Sequence, residues 1–254
     1  KFNSRRNLIS YFVKRQPKMS MDIELFMPKG MDAGVTIASG KIVVRDLNSQ
    51  VEVNSASGMI EIRDIEGKVT AVVASGRLDV ADIKGDVELQ VVSGALNATD
   101  VSGDAVVGVN SGTIELAHLG GDLDCSIEYG TVVVDGVGGL KFEGISAHAS
   151  FTGVRGAINA STASGKASFR VKPGSDVNYS IIASSGDITV RFLEKMAGGY
   201  ILKAGTTSGE ISVTLPIDVK NVGRNNITGV VREGKARIFL ETASGDIIIE
   251  EPEE

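Results

Sequence analysis

The sequence predicts an all-β protein: a single-stranded parallel β-helix, or solenoid, of about 18 residues per coil and about nine coils, with a cap at each end. Three observations predict it. Glycines recur at a constant step of 18, at Gly40, Gly58, Gly76, Gly94, Gly112 and Gly130. A second series, Ser49, Gly67, Gly85, Gly103, Gly121 and Gly139, falls halfway between them. Between these corners apolar and polar residues alternate, the period of a strand with one buried face. Self-similarity of this length marks a solenoid.

Residues 1–38 stand outside the repeat, as a basic N-terminal arm and a lead-in strand. Lys1, Arg5, Arg6, Lys14, Arg15 and Lys18 are six positive charges, and no acid precedes Asp22. Phe2, Tyr11, Phe12 and Phe26 are four of the chain's 8 Phe and 4 Tyr. Such a run is most simply a solvated basic face; the sharper reading is an arm that meets a partner. Ile23, Leu25 and Met27 alternate with Asp22, Glu24 and Phe26 before Pro28-Lys29-Gly30, which predicts a strand and a turn into the first coil.

Residues 39–209 form the solenoid. In one unit Ile60 and Ile62 alternate with Glu61 and Arg63, and Asp64-Ile65-Glu66-Gly67 turns the chain. Val69, Ala71 and Val73 then alternate before Ser75-Gly76 turns it again. The inward set repeats as Leu78, Val80, Ile83, Val87, Leu89 and Val91 and holds register through Ile127. A 9-residue half-unit is too short to return antiparallel and also cross over, so coils stack in parallel, ~4.8 Å apart. One coil buries too little to offset the ordering of its residues, which makes the stack the folding unit.

The corner glycines Gly40 to Gly130 are expected to supply positive φ. The serines before them, Ser39, Ser57, Ser75, Ser93 and Ser111, are expected to bond corner backbone groups. A third column, Asp46, Asp64, Asp82 and Asp100 with His118 next, is expected to open turns by accepting a backbone N–H two residues on. Near Gly130 the beat loosens: Leu140 and Phe142 slip by one position, and His148 stands at the next expected glycine. The beat resumes at Gly165, Gly186 and Gly209, with longer steps that imply loops around Pro173-Gly174 and Met196–Gly199.

Residues 210–254 are expected to close the domain with capping strands and an acidic tail. Ile211, Val213 and Leu215 end at Pro216, a polar stretch follows, and Ile238, Leu240, Ser244-Gly245, Ile247 and Ile249 lead to the tail. A solenoid has two exposed β edges, which must be covered or charged. With a basic first end and an acidic last end, Lys1, Arg5, Arg6, Lys14, Arg15 and Lys18 are expected to pair with Glu250, Glu251, Glu253 and Glu254 of a neighbour if the chain assembles head to tail.

The chemistry of a catalyst is hard to find. With 31 glycines and 5 prolines the composition suits a corner-rich β protein. A net charge of −6 is too modest to predict a nucleic-acid partner. The single Cys125 excludes an internal disulfide and falls on an inward column, which makes it a core thiol. His118 and His148 lie 30 residues apart, and no Cys/His spacing suits a metal. Gly120-Gly121 and Gly138-Gly139 lack the lysine and spacing of a phosphate loop. Calcium-binding β-rolls need a Gly-rich nonapeptide with Asp at a fixed place, and Gly120-Gly121-Asp122 is the one echo of it. The Asp46, Asp64, Asp82, Asp100 ladder is the weak candidate for a cation, since stacked carboxylates ~5 Å apart repel one another. No catalytic residue and no cofactor is expected. No apolar run reaches transmembrane length.

The repeat Ser-Gly-x-apolar-x-apolar-x-Asp-apolar-x-Gly-x-apolar, as in SGMIEIRDIEGKVTAVV and SGRLDVADIKGDVELQVV, resembles an adhesin family of bacterial and archaeal envelope proteins, β-strand-repeat domains of unknown function. Met27-Pro28-Lys29-Gly30 and the ending LETASGDIIIEE are similar to its first and last strands, so the resemblance spans roughly residues 22–250. It implies a parallel β-helix, exported or membrane-tethered, without catalysis. The expected function is a non-enzymatic structural or adhesive module of the cell envelope or surface. Its expected partner is a protein or the envelope itself, with any tether outside the given sequence. The first alternative is a head-to-tail filament subunit, a homo-oligomer. The second is a ligand-binding β-helix using loops around His148 and Met196–Gly199.

Overall fold

Alternating residues become a parallel stack. The computed structural model describes residues 27–252 apart from 175–176, 196–197, 224 and 232–235. β1 (Ala33–Leu47), β2 (Val51–Ile65), β3 (Val69–Ile83), β4 (Val87–Val101), β5 (Ala105–Leu119), β6 (Leu123–Val137), β7 (Leu140–Val154) and β8 (Ile158–Val171) pair in sequence order, each parallel to the next. Register follows the repeat: Gly58 faces Gly76 and Ile60 faces Leu78. The inward columns are buried as the alternation predicts. In β3, Val69, Ala71, Val73, Leu78, Val80 and Ile83 are all within 2% of complete burial.

Each coil is one long strand bent at its corner glycine. At Gly76 φ is +133°, and a Cβ there would strike the Gly58 carbonyl oxygen of the preceding coil. Glycine is needed both for the conformation and for the approach. The serines before these corners remain exposed, and the hydrogen-bonding hydroxyls belong to an inward column instead. Ser55 Oγ donates to the Ser57 carbonyl (3.1 Å), and Thr162 Oγ1 to that of Ser164 (3.1 Å). Thr206 and Thr242 likewise donate to the carbonyls of Gly245 and Gly186. An inward hydroxyl lies beside the corner carbonyls in the dry interior, where a missing partner is costly.

The slip after Gly130 has a local cause. Three residues separate β5 from β6, but only Gly138 and Gly139 separate β6 from β7. Gly130 therefore faces Ala147, and His148 faces Thr131. The corner position expected for His148 belongs to Ala147, which is buried. Its methyl compensates for Gly144, whose position facing Ile127 carries no side chain. A Cβ at Gly144 would collide with the Phe142 ring and the Ala147 Cβ, which together fill that space. From here the core turns aromatic: Phe142 meets Phe151 edge-on at 5.0 Å, and Phe151 stacks on Phe169 at 5.2 Å.

The far end departs from chain order. β9 (Tyr179–Ser185) and β10 (Ile188–Phe192) form the ninth consecutive rung, on β8. β11 (Tyr200–Ser208) and β12 (Ile211–Val213) form another, and β13 (Asp218–Val222) with β14 (Asn226–Val231) make an antiparallel hairpin that pairs with β11 through β14. β15 (Ala236–Ser244) and β16 (Ile247–Glu250) then return as a rung of their own, seated between the other two. β15 pairs with both β9 and β11, and β16 with both β10 and β12, all parallel. Gly209 therefore does not stack on Gly186, as the glycine count supposed; Gly245 lies between them. The Gly186 N–H donates to the Ser244 carbonyl (2.7 Å), and the Gly245 N–H to the Ser208 carbonyl (2.9 Å). Among the described residues nine rungs run in order, and two more complete the stack in exchanged order.

Candidate interaction surfaces

Two long surfaces emerge from the columns that face outward. The first lies at the corner that follows each rung's second side. Asp46, Asp64, Asp82 and Asp100 stand in one column there, with φ between 54° and 61°, and His118 continues it at 55°. They occupy the left-handed conformation themselves, which Asp tolerates better than most residues. Gly136 (φ 76°) and Gly153 (φ 71°) take the same place in β6 and β7. The acceptors for backbone N–H groups are a different set. Asp86 Oδ1 accepts the N–H of Asp104 (2.9 Å), Asp104 that of Asp122 (2.8 Å), and Asp122 that of Gly139 (2.6 Å). The 18-residue spacing of Gly-Asp at 85–86, 103–104 and 121–122 carried this signal in the sequence.

The left-handed aspartates line a shallow groove of about 440 Å³ with Lys29, Glu66 and Lys84. Lys84 Nζ donates to Glu66 Oε1 (2.7 Å), which holds the Glu66 carboxyl below its ordinary range and the Lys84 ammonium above its own. His118 Nδ1 lies 3.2 Å from Asp100 Oδ1. Among the described residues no group of three or more His, Cys, Asp or Glu side chains is placed to hold a metal ion, this ladder included. A left-handed column spreads its carboxylates along an edge rather than around a centre.

The second surface is a trough of about 680 Å³ on the outward face of the first side, crossing from β3 to β9. Small residues, Gly108, Ser126 and Ser161, floor its middle, and Val72, Val92, Ile145 and Ile182 line it. These four are 37–50% exposed. Glu128 and Glu143 add charge to its wall. None of these residues was singled out by sequence reasoning, although Val72, Val92, Ile145 and Ile182 each put an apolar side chain at an outward position, as Val92 does beside the buried Val91.

The remaining sequence candidates divide. Gly40, Gly58, Gly76, Gly94, Gly112 and Gly130 all hold φ between 130° and 145°, as corners require. Cys125 is fully buried, and burial, then the nearby Asp124 charge, pushes its thiol up to about 12. Lys1, Arg5, Arg6, Lys14, Arg15 and Lys18, with Glu253 and Glu254, lie outside the described residues. Glu250 accepts a hydrogen bond from Arg191 Nε (2.7 Å), and the Glu251 N–H donates to Thr214 Oγ1 (3.1 Å).

A family model described as Toastrack DUF4097 matches residues 22–250. The chain belongs to the Toastrack family. Comparison with curated proteins and with solved structures finds no match. The Toastrack match spans the whole stack, including the exchanged rungs, and names a domain of unknown function. Among the described residues of this Toastrack chain no helix is long and apolar enough to cross a membrane.

Proposed function

We propose that this Toastrack chain is a structural, adhesive module of the cell envelope or cell surface, which works through its outward face and not through an enzymatic centre. The observation that carries this reading is the trough over β3 to β9, where Val72, Val92, Ile145 and Ile182 stay exposed above a filled core. Exposed apolar side chains set in a trough on a rigid scaffold, with polar residues between them, are the anchors an interaction site needs. The continuous ladder of parallel rungs makes that scaffold stiff along its length. The partner is a protein or an envelope surface.

The test is retention of beads coated with the full chain on isolated envelope material. Wild-type chain should be retained, and Val92→Asp with Ile145→Asp should abolish retention while the thermal unfolding midpoint stays put. No wild-type retention, or retention unchanged by the two charges, would refute the reading. Head-to-tail assembly through a basic first end and an acidic last end is the second reading, favoured by the opposite charges of residues 1–18 and 250–254. Light scattering tests it: such assemblies dissolve in high salt and vanish on deletion of residues 1–18.

A further inference from the structure

The rung made of β15 and β16 has a neighbour on each edge, and among the described residues backbone and side-chain hydrogen bonds seat it at both. On one side the Gly186 and Ile188 N–H groups donate to the Ser244 and Asp246 carbonyls (2.7 and 2.9 Å). On the other, the Gly245 and Ile247 N–H groups donate to the Ser208 and Glu210 carbonyls (both 2.9 Å). Arg191 grips Glu250, Asn178 Oδ1 accepts the Arg237 N–H, and Asp187 Oδ1 accepts the Asp246 N–H.

The slot itself is made by rungs that precede its occupant. Residues 179–192 and 200–213 are consecutive along the chain yet are held one rung apart by residues 236–250. Moreover, the occupant and one wall are near copies: Thr206-Thr207-Ser208-Gly209-Glu210-Ile211 aligns in register with Thr242-Ala243-Ser244-Gly245-Asp246-Ile247. Thr206 and Thr242 even play one role, each donating to a corner glycine carbonyl of the neighbouring rung. Until residues 236–250 arrive, the edge of β9 and β10 is open to any rung of this shape.

We propose that this slot is an association site between copies of the chain, in which the rung 236–250 of one copy seats between β9–β10 and β11–β12 of a second. Exchange preserves each bond named above and changes only which copy supplies it. Concentration, rather than contact quality, then sets the balance between closed monomer and exchanged dimer. Repeat proteins are prone to this because neighbouring units present equivalent edges. The inference is independent of the trough and of the charged ends: an exchanged dimer is held by backbone pairing and burial, so it survives salt that dissolves a charge-paired filament.

The test uses full-length chains with Cys125→Val. Ile182 and Glu241 are register partners on β9 and β15, both with exposed side chains, so cysteines there lie within disulfide reach. Ile182→Cys and Glu241→Cys, placed on separate chains and refolded together, should give a mixed disulfide dimer that grows with protein concentration and is indifferent to salt. Both cysteines on one chain should bridge internally and suppress the dimer. As a control, Ile182→Cys is paired with Val133→Cys, which lies on β6. No mixed dimer, or as much with the β6 cysteine as with Glu241→Cys, overturns the proposal. Should the internal bridge fail to form, mass by light scattering after refolding at high concentration decides: a salt-resistant dimer supports exchange, and a monomer throughout overturns it.

Discussion

The Asp246 N–H donates to Asp187 Oδ1 across 3.2 Å, although 59 residues separate them. Asp246 Oδ1 in turn accepts the Glu210 N–H at 2.8 Å. Asp86, Asp104 and Asp122 build the same kind of ladder between successive coils at the opposite, halfway corner. Here, beside the corner glycines Gly186 and Gly245, it joins coils whose order is exchanged. A carboxylate at this corner caps the next rung in space, whichever part of the chain supplies that rung.

Asp187→Ala should lower stability by about 1–2 kcal/mol, the worth of a hydrogen bond to a charged group discounted for the partial exposure of Asp187. Asp187→Asn, which keeps the acceptor oxygen but loses the charge facing Lys166, should lose less. Lys166, then the Asp246 N–H, holds the Asp187 carboxyl below its ordinary range. Its contribution is therefore complete above the ordinary carboxylate pKa and fades as pH falls through the lowered folded value. Urea titrations at neutral and acid pH should show the gap between wild type and Asp187→Ala closing toward acid. A gap that widens there would contradict the ladder.

Two kinds of positive φ predict opposite tolerance. Gly76→Ala forces a Cβ into the Gly58 carbonyl at φ +133°, and should cost about 3 kcal/mol or more. Asp82 sits at φ +56°, where Gly136 and Gly153 occupy equivalent places, so Asp82→Gly should change stability by no more than about 0.5 kcal/mol. Asp82→Val should cost about 1–2 kcal/mol, because a branched side chain resists the left-handed region. Denaturation midpoints of the three variants test the ranking.

Most of this stack could be read from the sequence because the same local rule repeats. Alternation placed Val69, Ala71 and Val73 inward, and the 18-residue step placed Gly58 opposite Gly76. What escaped was set by choices between equivalent partners. Ser75 and Thr162 both carry hydroxyls beside a corner, but only three-dimensional placement shows that the inward one makes the bond. Asp82 and Asp86 both belong to acidic columns, and one holds a conformation while the other accepts a neighbour's N–H. Residues 200–213 and 236–250 carry the same pattern, so periodicity gives their shape and not their stacking order. The trough residues did leave a signal, since Val92 and Ile145 stand where polar residues usually alternate, but single breaks of this kind do not show that they share one surface.

The slip at β7 makes a compensated site. Gly144→Val should overpack against the Phe142 ring and the Ala147 methyl, at about 1–3 kcal/mol. Adding Phe142→Val and Ala147→Gly restores the arrangement of the regular rungs, where an aliphatic residue points inward and glycine forms the corner. The triple variant should recover most of the lost stability. Thermal unfolding of the single and triple variants, read as a cycle, decides it; purely additive losses would rule out the compensation.

The buried thiol gives the last test. Cys125 stacks between Val107 and Phe142 in one inward column, with its pKa pushed up to about 12 by burial and then by Asp124. An unfolded thiol ionises near ~8.5. A group kept neutral in the fold gives its full stabilisation below the unfolded pKa and loses it as pH rises from there toward the folded value. Wild-type stability should therefore fall with pH above about 8.5 more steeply than that of Cys125→Val, by up to ~1.4 kcal/mol per pH unit. Near neutrality the two should be close, because valine already fills this column at Val53 and Val107. Alkylation supplies a second reading: native Cys125 should react with iodoacetamide only as fast as the stack opens, and full reaction upon urea unfolding confirms that the thiol is free. Equal alkaline slopes together with rapid native alkylation would show that the column is open to solvent, and with it the interior of β6.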